Sequence, residues 1–335
     1  MTTRLHIPTF LRNLKWSFSR NNVEERAALE RRISKLEGIV ERLRPESTAY
    51  RELLLLEDVL NGDEPQFAEE REYCRRHGRL RMFPYEEVRE FPEVEVCYDR
   101  TKGLPYVVHD GKRLYYPAAW GTGTITYNHI SSVAVEGILG GGCLAKSPHN
   151  YLDARFPVRD GAVVCDFGAA EGLVGLHLAE CASRIVIGEC DEKWLPPLKA
   201  TFEPYAGKTA FVTEPLGRGG GGRGYSRILE ETVSDAENGK PFFLKFDIEG
   251  AERFAIREAE EFFKNQGDVT VACAVYHRQD DGKQLEKLFK GWGYETAFSR
   301  GAMLVLPDRL APPYFRQGVI YARKGRNLDE VEVTA

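Results

Sequence analysis

Val163-Val164-Cys165-Asp166-Phe167-Gly168-Ala169-Ala170-Glu171-Gly172 decides the fold. It reads as a short apolar strand, a loop of pattern D-x-G-x-x-x-G, and the start of a helix expected over 171–181. Glycines let such a loop turn tightly and bring backbone close to a ligand. In a doubly wound sheet that place, outside the carboxyl end of the first strand, is where a cofactor sits. A dinucleotide fingerprint would need its second glycine at position 170, which is Ala170. Two carboxylates, Asp166 and Glu171, stand at the loop instead. They repel a pyrophosphate and suit a cationic ligand.

The segments downstream extend this reading. Ile185 to Gly188 is a second strand, ending at Glu189. An acid about 20 residues beyond a glycine loop suits a ribose diol, since one carboxylate accepts two hydroxyl hydrogen bonds. Asp191 is the close alternative, and either acid could cap the next helix. Leu244-Lys245-Phe246-Asp247-Ile248-Glu249-Gly250-Ala251-Glu252 places alternating charges at the end of another apolar strand. Charges there are costly unless paired or facing a cleft. Alternatively, acids such as Glu252 simply complement a helix N-terminus. His277 ends the next strand, Val269 to Tyr276. With an ordinary pKa near 6.5 it is a candidate general base on a hydroxyl.

Between 161 and 325 strands and helices alternate, which predicts a largely parallel sheet with helices on both faces. Helices are expected over 192–202, 250–263 and 284–291, and strands over 209–212, 294–298, 302–306 and 319–323. Upstream, Asp110-Gly111 between two strand-like runs signals a type I′ hairpin. Helices are expected over 48–60, 64–77 and 130–139, with Gly140-Gly141-Gly142 as a hinge. Leu29, Ile33, Leu36, Val40 and Leu43 form a two-heptad seam, read either as a short homodimerisation helix or as a helix laid on its own chain. Residues 1–22 carry four basic residues and no acid, and read as a tail or a short packed helix, with a weak membrane-surface or nucleic-acid arm as the alternative. The expected organisation is a helical region over 1–62, an α+β accessory region over 63–142, a catalytic domain over 143–326 and a tail over 327–335.

Composition bounds the class. The 335 residues are 42% hydrophobic and 29% charged, ordinary for a globular protein. Forty-six basic against 51 acidic residues leave a net charge of -5, so nothing global favours nucleic acid. Seven cysteines without a CxxC motif fit reduced thiols and a cytoplasmic setting. No stretch is long and apolar enough for a transmembrane helix, and no secretory signal is read at the N-terminus.

Taken together, the four motif segments resemble the FkbM-type family of S-adenosylmethionine-dependent methyltransferases. Asp166 to Gly172 is similar to its first motif, and Lys245 to Glu252 to its most characteristic block. Tyr276-His277-Arg278 and Pro313-Tyr314-Phe315-Arg316 are similar to later segments. The resemblance spans about residues 145–325. It implies a class I methyltransferase fold, a Rossmann-like doubly wound sheet of seven mostly parallel strands, here with an N-terminal helical and β-hairpin extension. It also implies O-methylation of a hydroxyl on a sugar, polysaccharide precursor or related small molecule. S-adenosylmethionine has an ammonium, a sulfonium and no phosphate, as the carboxylate-rich loop requires. Carried over, Asp166, Gly168 and Gly172 line the methionine end, Ala170 and Glu171 are further cofactor-binding residues of the same loop, Glu189 holds the ribose and Glu214 lies near the adenine. His277, Asp247, Glu249 and Lys245 are the candidate catalytic residues, His277 first as base and Asp247 second. A divalent metal on Asp247 with Asp280 or Asp281 is an alternative that no ligand cluster compels. The Gly219–Gly224 run is not part of the family pattern and reads as a flexible connector. Two rival readings are a non-catalytic cofactor-binding or scaffold protein and a nicotinamide-dependent oxidoreductase.

Overall fold

A computed structural model describes residues 34–35, 55–85, 94–140, 147–214, 224–235, 239–305 and 314–325. The basic arm over 1–22, the heptad seam over 29–43 apart from 34–35, Gly141-Gly142, Gly219 to Arg223 and Pro313 lie outside them. The chain divides into two compact units: Met1–Met82 with Leu306–Tyr314, and Phe83–Val305 with Phe315–Ala335.

In the first unit a helical turn covers 55–60 and helix α1 spans Ala68–His77. Glu69 and Glu70 sit in its first turn and Arg75, Arg76 and His77 in its last, which complements the helix dipole. Gly78 ends it at φ 60, a left-handed conformation open to glycine without strain.

The second unit opens with a three-stranded antiparallel sheet of β1 (Cys97–Asp99), β2 (Leu104–His109) and β3 (Lys112–Tyr115). Asp110 and Gly111 join β2 to β3 with φ of 48 and 76, the positive pair that a type I′ turn requires. Helix α2 is Thr122–Ile130 and continues as a π-helical turn over Ser131–Val135, earlier in the chain than the helix expected over 130–139.

The main sheet follows. Its elements are β4 (Val163–Phe167), α3 (Leu173–His177), β5 (Arg184–Gly188), α4 (Leu195–Thr201), β6 (Thr209–Val212), α5 (Tyr225–Asp235) and β7 (Phe242–Phe246). Then come α6 (Glu252–Glu258), α7 (Glu260–Asn265), β8 (Val269–Ala274), α8 (Asp281–Gly291) and β9 (Glu295–Phe298). β10 (Met303–Leu304), β11 (Phe315–Arg316) and β12 (Val319–Lys324) complete the chain. The sheet order is β6-β5-β4-β7-β8-β12-β9, with β12 alone antiparallel to its neighbours. This is the seven-stranded, mostly parallel class I arrangement. The order reverses between β4 and β7, so the ligand crevice of such a sheet lies outside their carboxyl ends.

The side-chain period of two splits the core between the two faces. Val163, Cys165 and Phe167 of β4 join Phe242, Leu244 and Phe246 of β7 in one cluster with Phe263 and Phe289. Val164 and Phe243 face the other, with Leu173, Leu176, Phe202, Tyr321 and the hairpin residues Val107, Leu114 and Tyr116. The hairpin thus shares its core with the sheet.

Some elements are shorter than their sequence suggests. The helix expected over 171–181 is the five-residue α3, and Glu171 lies in the turn before it. The run over 250–263 breaks at Ala259 (φ -89, ψ 21) into α6 and α7. The strand expected over 302–306 is only β10, which pairs with β11 outside the main sheet.

Phe263 is fully buried, whereas Tyr127 is 76% exposed. Phe263→Ala is expected to lower unfolding free energy by about 3–5 kcal/mol. Tyr127→Ala should change it by no more than about 0.5 kcal/mol. Urea denaturation of both variants checks the assignment of this core face.

Candidate active site at the carboxyl ends of β4 and β7

Asp166 and Lys245 are cross-strand partners on β4 and β7. Both point to the hairpin-side face and both are buried. Lys245 Nζ donates to Gly168 O at 2.5 Å and lies 3.1 Å from Asp166 Oδ1, off the line of a good hydrogen bond. Asp166 Oδ2 accepts the Gly175 amide of α3 at 3.0 Å. The pair therefore ties the loop after β4, the start of α3 and strand β7 together. Burial disfavours the Lys245 ammonium, but the carboxylates of Asp166, Asp247 and Glu171 outweigh it and raise its pKa.

Gly168 (φ 76) is pressed against the second loop, and a Cβ there would come within 1.7 Å of Asp247 O. Gly172 (φ 83) starts α3 against Leu198 and Phe202. Ala170 takes a left-handed φ of 47 although it is not glycine. Its amide donates to Glu189 Oε2 at 2.9 Å, and Glu189 Oε1 accepts the Asp191 amide at 2.8 Å. Glu189, from the end of β5, thus closes over the glycine loop. Glu171 is buried, and burial raises its carboxyl pKa. Glu214 lies two residues past β6 on the edge of the sheet.

Beyond β7, Asp247 is surrounded by donors. Tyr276 OH donates to its Oδ1 at 3.1 Å, and His149 Nε2 lies 3.6 Å from its Oδ2. His149 is buried between Glu136 Oε2 at 2.7 Å and Tyr151 OH at 2.8 Å. Burial lowers the His149 pKa, yet the Asp247 and Glu136 carboxylates more than reverse this and push it up to about 9. Burial likewise raises Asp247, but His149, Lys245 and His277 hold it well below the usual carboxylate range. Sequence reading missed His149 and Glu136. Glu136 falls in the helix expected over 130–139 and His149 past the expected glycine hinge, but neither signal names a partner, and only the tertiary fold brings them to Asp247.

His277 Nδ1 lies 3.0 Å from Glu252 Oε1, again off the hydrogen-bond line. Glu252 is fully buried and its Oε1 accepts the amides of Ile248 and Gly250 at 2.8 and 3.3 Å. On the other side, His277 Nε2 faces Asp247 Oδ1 at 3.7 Å and Glu249 Oε2 at 3.6 Å. Glu249 is exposed and held at a left-handed φ of 56. Burial lowers the His277 pKa, but Glu252, then Asp247 and Glu249, raise it above its ordinary value.

The fold thus brings His277, Asp247 and Glu249 together at the crevice, while Lys245 sits beneath, under the glycine loop. Asp247, Glu252 and His277 have ligand-type atoms within 4.8 Å of one another, with Glu252 Oε1 accepting backbone amides and Oε2 buried without a hydrogen-bond partner. Asp280 and Asp281 do not join them: both pair with Arg253, at 2.8 and 2.5 Å.

No family model matches the chain, and neither does any curated protein sequence. Solved structures give weak likenesses. Precorrin-6y C5,15-methyltransferase from Geobacter metallireducens is 14% identical over 52% of this chain and 85% of its own, with a TM-score of 0.34. The fibrillarin pre-rRNA processing protein of Methanococcus jannaschii is 10% identical over 70% and 100%, with a TM-score of 0.36. An rRNA methylase from Streptococcus thermophilus is 14% identical over 50% and 90%, with a TM-score of 0.31. At these scores the fold assignment stands on the strand order itself.

The charge network sets a pH window. His149 is raised when folded, so its contribution to stability is full below pH 6.5 and is lost as pH rises through about 9. Asp247 is lowered, so its contribution is present above about pH 4 and is lost on acidification. Thermal unfolding between pH 5 and 10 should show wild-type Tm falling across the 6.5–9 window. His149→Gln should reduce that slope and leave the part that His277, also raised on folding, contributes.

Proposed function

We propose that the chain is an S-adenosylmethionine-dependent methyltransferase acting on a hydroxyl of a small molecule such as a sugar or polysaccharide precursor. One observation carries the reading: the amide of Ala170, in the loop where a dinucleotide fold offers backbone N–H groups to a pyrophosphate, donates to the Glu189 carboxylate. A phosphate there would meet an anion and lose a donor. A ribose diol and a cationic amino-acid end suit the same place, and this disfavours a nicotinamide enzyme.

S-adenosylmethionine supplies an electrophilic methyl group on a sulfonium. In this reading the remaining acceptor capacity of the Glu189 carboxylate, beyond the Ala170 and Asp191 amides, takes ribose hydroxyls, and the Gly168–Gly172 loop lines the methionine end. The chain's remaining tasks are to hold the acceptor oxygen in line and remove its proton. His277 Nε2 is the group for the proton. Its distances of 3.7 and 3.6 Å to Asp247 and Glu249 are too long for direct hydrogen bonds and leave the nitrogen available to a hydroxyl. Glu252, behind Nδ1, stabilises the imidazolium that forms.

Titration calorimetry with S-adenosylmethionine, S-adenosylhomocysteine and NADH tests the cofactor. Binding of the sulfur ligands alone is expected, weakened at least tenfold in Glu189→Ala. NADH binding, or no binding to the folded protein, would overturn the assignment. With a hydroxyl acceptor in hand, kcat/KM should rise with pH through a limb above 6.5, because His277 must be neutral to accept a proton and its pKa is raised. Glu252→Gln should move that limb to lower pH.

A further inference from the structure

A second cluster lies at the far end of α3 from the glycine loop. His109 ends β2, Asp110 begins the type I′ turn, and His177 ends α3. Asp110 Oδ2 lies 3.5 Å from His109 Nε2 and 3.6 Å from His177 Nδ1. The three ligand-type atoms are all within 4.8 Å of one another. Two of the three separations are close to the edge of a tetrahedral zinc site, about 3.4 Å for bonds of about 2.0–2.1 Å. They are too long for hydrogen bonds.

His109 Nε2 is the informative atom. It is buried and has no hydrogen-bond partner. A buried ring nitrogen left unpaired costs free energy, and an ion shared with Asp110 and His177 would satisfy it. The remaining parts of the site are firmly placed. The turn is fixed by the β2–β3 register His109↔Lys112, with Val107 and Leu114 buried beneath it. Lys112, the nearby cation, is directed away to Leu176 O at 3.0 Å and already clips the hairpin to α3.

We propose that His109, Asp110 and His177 form a binding site for a divalent ion of the zinc class. Two imidazoles and one carboxylate suit such an ion, and three protein ligands leave a position open for water or another ligand. A cavity of about 470 Å³ lined in part by His109, Asp110 and His129 adjoins the cluster. Bound there, the ion would brace the hairpin against the helix that carries the cofactor loop. The site does not depend on the methyl-transfer reading.

Chelator-treated full-length protein would be titrated with Zn²⁺ by calorimetry and with Co²⁺ as an absorbing probe. One equivalent is expected to bind, with ligand-field absorption for Co²⁺ and a Tm that rises with Zn²⁺ concentration. His177 and Asp110 are exposed enough for His177→Ala and Asp110→Asn to fold, and each should weaken binding at least tenfold. His277→Ala breaks the acid–imidazole cluster with Asp247 and Glu252 and should bind Zn²⁺ as wild type. No binding to the wild type, binding that survives both cluster substitutions, or binding lost in His277→Ala alone would each overturn the proposal.

Discussion

The buried ammonium of Lys245 is the interaction on which the rest of the crevice depends. It stands on a central strand, opposite Asp166, and is almost wholly buried. Such a charge is tolerable only when its counter-charge and acceptors are fixed in place. Here they are the Asp166 carboxylate and the carbonyl of Gly168. Removing either partner of a buried pair costs about 3–5 kcal/mol, because the survivor is left uncompensated. The loop after β4 therefore cannot drift from β7 without exposing that cost. The same ammonium helps keep Asp247 ionised at the mouth of the crevice. Scaffold and site share one charge.

A second layer of compensation sits above it. Asp247 is one acid among several, with Glu136, Glu249 and Glu252 close by. The two imidazoles divide the work. His149, enclosed by Glu136 and Tyr151 and raised to about 9, is a resident cation at neutral pH. His277, half-buried, faces the crevice with one nitrogen. A histidine locked in its charged form cannot serve as a base, and one open to the crevice can.

How much of this was legible in the sequence follows from how local each feature is. The glycine loop could be read because its geometry is set by a few consecutive residues. The positive φ of Gly168 and Gly172, and a packing of Gly168 against Asp247 O that leaves no room for a Cβ, are what those glycines permit. The I′ turn at Asp110-Gly111 was legible for the same reason. Helix lengths were not, because ends are set by packing: α3 stops after five residues, and α6 and α7 part at Ala259. His149 and Glu136 lay beyond reach: an expected helix and a glycine hinge mark their stretch, but neither points to a partner, and Asp247 is about 100 residues away.

Two residues violate a local rule where the two loops meet. Ala170 and Glu249 are not glycines, yet both take left-handed backbone conformations, at φ 47 and 56. Each costs of order 1–2 kcal/mol relative to an ordinary conformation. The surrounding structure enforces both. Ala170 is held by the hydrogen bond from its amide to Glu189, and Glu249 lies between Ile248 and Gly250, whose amides both donate to Glu252. A glycine at either position would relieve the strain but would also widen the conformations open to the loop. At 249 it would remove the carboxylate that faces His277 as well. The strain lies where the crevice needs fixed geometry, and it is sustained by the acids that give the crevice its charge. Loop shape and electrostatics are therefore a single constraint here.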